Sequence, residues 1–199
     1  MSKLEELILE LCPNGVKYKK IIDVASVSIG EFVHKNKQNP NGKYPVYNGG
    51  ISNTGYYDDY NMDENKIIIS ARGANAGFVN LVLTKYWAGN SCYSVDVKRD
   101  DLDFKFVYYF LKNNELKLIG EQQKGGIPAV SKKQVEEFKI PVPPVEIQCE
   151  IVRILDQFTL LTAELTAELT ARKQQFEHYK DDLFSFNGDL KLSTIDELA

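Results

Sequence analysis

The sequence predicts an α+β protein, in which a mostly β domain with packed helices is followed by one long coiled-coil helix. Short runs of β-branched and aromatic residues alternate with glycine and asparagine clusters over about residues 12–120, which is typical of short strands joined by turns. Residues 146–184 contain neither glycine nor proline and are rich in Leu, Glu, Ala, Lys and Gln, which predicts a single helix. The proline-rich segment 140–144 separates the two parts as an extended connector.

Each element of the domain has its own local signal. An amphipathic segment over residues 1–11 predicts a short helix that ends at the proline and Asn-Gly pair of residues 12–15. Apolar residues near helical spacing over 103–119 predict one helix lying on the sheet. The predicted strands are Tyr44–Tyr47, Lys66–Ser70, Phe78–Leu83 and Ser91–Val97. We therefore expect a domain over residues 1–145, a long helix over 146–184 and a tail over 185–199, to which no element is assigned.

The long helix carries an apolar stripe whose members are spaced alternately by three and four residues, as in a coiled coil. Arg172 continues the stripe between its two halves, and the remaining members, predicted to form a dimer or subunit interface, are Ile151, Ile154, Phe158, Leu161, Leu165, Leu169, Phe176, Tyr179 and Leu183. The alternation fails once, where the tetrapeptide TAEL of residues 162–165 is repeated as 166–169. Such a four-residue insertion lengthens a helix by about 6 Å and rotates its far end by about 40°. The alternative is a chance duplication tolerated on a solvated helix.

Composition restricts the functional classes. The net charge is −4, but residues 146–199 carry 5 basic against 11 acidic side chains, whereas residues 1–145 carry 19 against 17. A weakly basic domain permits DNA binding. No apolar run approaches the roughly 20 residues of a membrane span, and the N-terminus does not resemble a signal peptide, so we expect no membrane association and a cytoplasmic location. The three cysteines and two histidines lack metal-ligand spacing, and we predict neither metal nor cofactor.

Motifs for catalysis are missing from the sequence. It contains no phosphate-binding loop, no dinucleotide-binding glycine motif and no nucleophile elbow. Asp58, Asp59 and Glu64 faintly resemble the acidic centre of a metal-dependent nuclease, but acidic residues are also common in turns. We therefore predict no catalytic residue and no enzymatic activity for the chain itself.

Polar residues in glycine-rich loops are the candidate functional residues. Arg72 and Asn75 lie in the loop 70–77, and their side chains can read guanine and adenine edges through paired hydrogen bonds. Alternatively, Arg72 is a surface charge on an ordinary hairpin. Residues 122–126 and 131–134 add donors, predicted to be mobile, that suit phosphates. The predicted DNA-binding set is Asn48, Ser70, Arg72, Asn75, Asn90, Lys124, Ser131, Lys132 and Lys133.

Several segments together resemble the specificity subunits of type I restriction-modification systems over about residues 12–186. They are the runs Tyr44–Gly50, Ile69–Gly77, Gly125–Gln134, Phe138–Gln148, Ile151–Asp156 and Arg172–Tyr179, together with Leu183-Phe184. The resemblance implies a DNA target-recognition domain at 1–145 and a spacer or dimerisation helix at 146–184. It also implies a non-catalytic subunit that binds double-stranded DNA and methylation subunits, which hold S-adenosylmethionine, and is joined by ATP-driven restriction subunits.

The sequence departs from this family pattern in one respect. Typical members have two recognition domains and two helices, whereas this sequence has one of each. The resemblance therefore implies a homodimer with antiparallel helices that binds a bipartite, inverted-repeat target. Two alternatives remain: a stand-alone dimeric DNA-binding protein without enzyme partners, and a structural coiled-coil adaptor.

Overall fold

The central element of the domain is a four-stranded antiparallel sheet. The computed structural model describes residues 1–120 and 127–185. In chain order its helices and strands are α1 (Lys3–Leu11), β1 (Tyr18–Lys20), β2 (Ala25–Ile29), β3 (Tyr44–Tyr47), β4 (Gly55–Tyr57), β5 (Lys66–Ser70), β6 (Val79–Val82), β7 (Trp87–Ala88), β8 (Cys92–Val97), α2 (Phe104–Lys112), α3 (Glu115–Ile119), α4 (Lys132–Glu137), β9 (Lys139–Pro141) and α5 (Val145–Phe184). Short 3-10 turns occupy Ile21–Asp23 and Lys35–Lys37. The central sheet has the order β2-β8-β5-β6.

The middle of this sheet is apolar on both faces. β5 consists largely of isoleucine, a β-branched residue that packs well on a pleated surface. Ile67 lies opposite Val95 on one side and Leu81 on the other, and Ile67 and Ile69 are fully buried. Such pairing fixes the register, because a slip of one residue would exchange the two faces of the strand.

Two smaller sheets flank the central one. β3 pairs antiparallel with β4 and parallel with β7, and β1 pairs antiparallel with β9. The predicted strands at 44–47 and 66–70 have the observed bounds, and those at 78–83 and 91–97 are slightly shorter in the structure. β9 overlaps the first two residues of the expected proline-rich connector, and its Ile140 is fully buried.

The single helix predicted over residues 103–119 is wrong in one detail, because the structure contains two helices there. Asp103 is the N-cap of α2, and its carboxylate accepts a hydrogen bond from the backbone N–H of Phe106 at 2.9 Å. It ends at Asn113 and Asn114, both poor helix formers. The buried Asn114 amide donates to the carbonyl of Phe110 at 2.7 Å, which competes with continuation of the backbone ladder.

The first turns of α5 are fixed by the fully buried side chain of Gln148. Its Oε1 accepts from the backbone N–H of Asp103 at 2.8 Å, and its Nε2 donates to the carbonyls of Asp101 at 2.9 Å and Pro143 at 2.7 Å. Nearby, Glu150 accepts hydrogen bonds from Arg153 and Lys3. These contacts anchor the beginning of the helix in the domain.

The chain forms two compact units, Met1–Ile154 and a second that begins at Leu155. The long helix predicted from the sequence is confirmed and runs over Val145–Phe184. Within the described residues, no helix is long and apolar enough to cross a membrane.

Candidate nucleic-acid interface

Four loop segments meet at one end of the central sheet, where β5 ends and β8 begins. The backbone N–H of Ala71 donates to Ser91 at 2.9 Å, and that of Val130 donates to Ala71 at 2.8 Å. Gly89 donates in turn to the carbonyl of Tyr47 at 2.8 Å. We call this area the loop surface and define it by residues 47–50, 70–77, 89–91 and 127–131. It brings together segments that are far apart in the sequence.

The loop 70–77 has a backbone that depends on glycine. Gly73 and Gly77 have φ values of 90° and 80°, in the left-handed region that other residues rarely adopt. A Cβ on Gly77 would also lie 2.5 Å from the side chain of Ile119. The loop is closed by the hydrogen bond from Gly77 N–H to the carbonyl of Ser70 at 2.8 Å. This conformation is therefore specified locally.

The three predicted DNA-binding residues of this loop differ in exposure. Arg72 is exposed, and its backbone forms a bridge with Ala129. Asn75 is half-buried, and its carbonyl accepts from the N–H of Phe78 at 3.0 Å. Ser70 is only 4% exposed, so its side chain is buried and is not available at the surface. Arg72 therefore has the most exposed side chain of the three residues.

The Asn48 side chain lies very close to the backbone of Gly89, the residue before Asn90. A Cβ on Gly89 would lie 1.6 Å from Oδ1 of Asn48, so only glycine fits there. That oxygen is buried and has no hydrogen-bond partner within residues 1–120 and 127–185. Asn90 is exposed, and its Oδ1 accepts from the Ser91 hydroxyl at 3.5 Å. Both amides belong to the loop surface.

The predicted donors at 131–134 are at the start of a helix and not in a mobile loop, which corrects the expectation from the sequence. Ser131 is the N-cap of α4: its hydroxyl accepts from the N–H of Gln134 at 3.2 Å, and the Gln134 side chain accepts from the N–H of Ser131 at 2.8 Å. Lys132 forms an ion pair with Glu136 at 3.4 Å, while Lys133 is exposed. Lys124 lies outside the described residues.

Cys92 and Tyr86 are buried beneath the loop surface, and burial favours the protonated form of both. Burial raises the pKa of Cys92 to about 12, so its thiol stays protonated and is a poor nucleophile. The Tyr86 hydroxyl is 2.8 Å from the Ser94 hydroxyl, and burial raises the pKa of Tyr86. In the part of the chain that the structure describes, no three His, Cys, Asp or Glu residues are grouped to hold a metal. What the loop surface offers to a ligand is the hydrogen-bonding groups and the positive charge of its exposed polar side chains.

The predicted apolar stripe of α5 differs between its two ends. Ile151 and Ile154 are half-buried, and Ile151 packs against the domain core. In the second compact unit the stripe is exposed by about half or more of each side chain; its members there are Phe158, Leu161, Leu165, Leu169, Phe176, Tyr179 and Leu183. Large exposed apolar areas of this kind mark interaction surfaces.

Threonines form a second stripe on the same helix. The hydroxyls of Thr162, Thr166 and Thr170 each donate to the carbonyl four residues earlier, at 2.7, 2.7 and 2.8 Å. Each TAEL copy therefore satisfies its own hydroxyl within the helix and leaves its leucine available for packing.

Comparisons with known proteins agree with this architecture. Residues 13–172 match the type I restriction modification DNA specificity domain. The chain is 29% identical over 189 residues to a protein named as a type I specificity subunit of Mycoplasma pneumoniae, covering 90% of this chain and 61% of that protein. It is 43% identical over 104 residues to the EcoR124I/EcoR124II specificity subunit of Escherichia coli, covering 48% of this chain and 24% of that one.

A solved structure has the same fold. The S subunit of a type I restriction-modification system from M. genitalium superposes with a TM-score of 0.70 at 25% identity, covering 88% of this chain and 48% of that one. This chain thus spans less than two thirds of the length of these relatives.

Proposed function

This chain belongs to the type I restriction modification DNA specificity family, and we propose that it is a non-catalytic subunit that selects the DNA sequence on which methylation and restriction subunits act. The proposal makes the domain a DNA target-recognition domain over about residues 1–145 and the following helix a spacer and dimerisation element. It requires no cofactor on this chain, because the partner subunits supply the chemistry.

The observation that carries this proposal is the convergence of four loop segments on one end of the central sheet. Exposed Arg72 and Asn90 and half-buried Asn48 and Asn75 occur there together. Arginine and asparagine are the side chains that pair with guanine and adenine edges in the major groove. Lys133 at the start of α4 adds a charge suited to a phosphate. Loops on a rigid sheet suit recognition, because they can vary without changing the scaffold.

The exposed stripe of α5 supports dimerisation. The helix has 40 residues, about 60 Å at 1.5 Å per residue. Leucine and phenylalanine side chains along it are stabilised by burial against an equivalent stripe. An antiparallel pair is two-fold symmetric, so each copy presents the same residues to the other. Such a dimer would bind two inverted half-sites separated by a stretch of DNA that neither domain reads.

The proposal is tested by selecting duplexes from a random library with the full chain, alone and together with a methylation subunit from the same organism. We expect enrichment of an inverted repeat with a fixed gap, together with co-purification of the methylation subunit. Enrichment without co-purification would favour a stand-alone dimeric DNA-binding protein. The absence of any enriched sequence would overturn the proposal and favour a structural adaptor.

A further inference from the structure

A second positively charged segment lies next to the loop surface. Residues 32–43, which we call the basic loop, follow β2 and contain His34, Lys35, Lys37 and Lys43 but no acidic residue. Neither the family match nor the sequence motifs assign a role to this segment. A segment of this length without a carboxylate is notable in a chain that has more acidic than basic residues.

Close packing places the start of the basic loop beside residues 88–92. Gly30 donates its N–H to Cys92 at 3.4 Å, and Glu31 donates to Ala88 at 2.9 Å. The indole N–H of Trp87 donates to the carbonyl of Glu31 at 2.7 Å. A Cβ on Gly30 would lie 1.9 Å from the carbonyl oxygen of Ala88, so glycine is required for this approach. The basic loop therefore adjoins the part of the loop surface that contains Asn90.

The other end of the basic loop is also fixed. Asn39 donates its backbone N–H to the carbonyl of Tyr56 at 3.0 Å, and its side-chain amide donates to Asp58 at 3.3 Å. The Gln38 amide donates to the carbonyl of Val33, which is itself buried. Between these anchors, a 3-10 turn presents Lys35 and Lys37. The turn is thus held at both ends.

The two lysines of this turn are chemically available. Both are exposed, and within the described part of the chain neither forms an ion pair. Other lysines are paired, for example Lys66 with Asp96 and Lys112 with Glu115. Phe32, 56% exposed, packs edge-on against His34 with 4.7 Å between ring centroids. Unpaired ammonium groups and an exposed ring within one short segment suit a sugar-phosphate backbone.

We propose that the segment 32–37 contacts the DNA backbone beside the bases reached by the loop surface, with Lys35 and Lys37 at phosphates and Phe32 against sugars. The inference rests on the proposed function, since it places DNA on the adjoining loop surface. The contact adds affinity without sequence preference, because phosphates carry no base information. It also fixes the orientation of the domain on the duplex.

The test compares Lys35→Ala/Lys37→Ala with the unmodified full chain, using the selected duplex and a random duplex over a range of salt concentrations. Each lost phosphate contact reduces the slope of log K against log salt by about 0.9. We therefore expect the slope to decrease by about two, with equal fold-losses of affinity on both duplexes. The control is Lys17→Ala/Lys20→Ala, which removes the same charge from exposed residues near the opposite end of β2.

The outcomes separate this inference from the proposed function. An unchanged slope in a variant that still selects its target would overturn the contact and leave the function intact. A slope that falls equally in the control variant would show only a general effect of charge and would also overturn it. An unmodified chain that binds no duplex would overturn both. Thermal unfolding of each variant checks that the fold is retained.

Discussion

Arg72 is held at the centre of the loop surface by backbone contacts on both of its sides. Its neighbour Ala71 bonds to Ser91 and Val130, and Gly73 donates to Pro128 at 2.9 Å. The guanidinium group itself is exposed and can meet a guanine edge with two parallel hydrogen bonds.

We expect Arg72→Ala to weaken preference for the selected half-site by about 1–3 kcal/mol while hardly changing affinity for random DNA. The matched comparison is Lys133→Ala, which should lower affinity for both duplexes equally and flatten the salt dependence. Binding titrations of both variants with the two duplexes, repeated over a range of salt concentrations, measure the difference. If Arg72→Ala lowered the affinity for both duplexes equally, Arg72 would contact a phosphate and not a base.

The sequence indicates which loops contain the candidate residues, but it does not show which of their side chains are exposed. Arg72 and Asn75 are conspicuous because they lie in a glycine-containing loop that directly follows an apolar strand. The burial of Ser70 depends on packing that no short motif specifies. The capping role of Ser131 does have a short motif, because Ser131 and Gln134 have the spacing of a capping box. The sequence does not indicate that the segment after β2 adjoins residues 88–92, because this neighbourhood arises from the pairing of β2 with β8.

Glu150 makes stability depend on pH. Hydrogen bonds from Arg153, together with the Lys3 ammonium, lower the pKa of this carboxyl from 4.5 to about 2. A group whose pKa falls on folding binds its proton more weakly in the folded state. Its stabilising contribution is therefore complete above pH 4.5 and is lost as the pH falls towards 2.

We expect Glu150→Gln to be less stable than the unmodified chain at pH 6 and equally stable near pH 2. Urea unfolding at several pH values measures the difference in free energy. Glu146→Gln, on the exposed side one turn earlier, is the control and should leave this pH dependence unchanged. A difference that stays constant from pH 6 to pH 2 would contradict the assignment to Glu150.

At the scale of elements, α5 combines two stripes with different roles. The leucines of the TAEL copies are exposed, whereas the threonine hydroxyls are satisfied by carbonyls of the same helix. The helix was predictable because its composition and spacing are uniform over many turns. The break between α2 and α3 was not, because it depends on one buried hydrogen bond from Asn114. The pairing of β1 with β9 joins segments too distant for local patterns.

The proposed dimer predicts the effect of charge on the leucine stripe. Leu161→Asp/Leu165→Asp should give monomers and weaken binding to the two-half-site target, because carboxylates cannot be buried there without large cost. Ala163→Asp/Ala167→Asp places the same charges at the same spacing on the opposite face and should leave the dimer intact. Sedimentation velocity at micromolar concentration measures both. A monomeric unmodified chain would rule out this pairing.

For the whole molecule, helix length should set the distance between half-sites. Removal of Thr166–Leu169 from both copies shortens the paired helices by about 6 Å, whereas DNA rises by about 3.4 Å per base pair. We expect the preferred gap to shrink by one or two base pairs, with one more favourable because DNA bending absorbs part of the change. The half-site sequence should stay the same.

Methylation-site mapping of this deletion with the methylation subunit measures gap and half-site together. Thr166→Ala, which keeps the helix length and removes only a hydroxyl, is the control and should retain the original gap. An unchanged gap in the deletion variant would mean that the number of TAEL copies does not set the spacing between the half-sites. Altered half-sites would mean that the recognition domain extends into the helix.

The buried Gln148 side chain forms its hydrogen bonds at the opposite end of the central sheet from the loop surface. Gln148 binds residues that follow the end of β8, whereas the loop surface begins where β8 starts. The side-chain hydrogen bonds that hold the start of α5 are therefore made away from the exposed loop residues. On the proposed function, a lineage can keep these contacts while exposed loop residues are substituted and the selected DNA sequence changes.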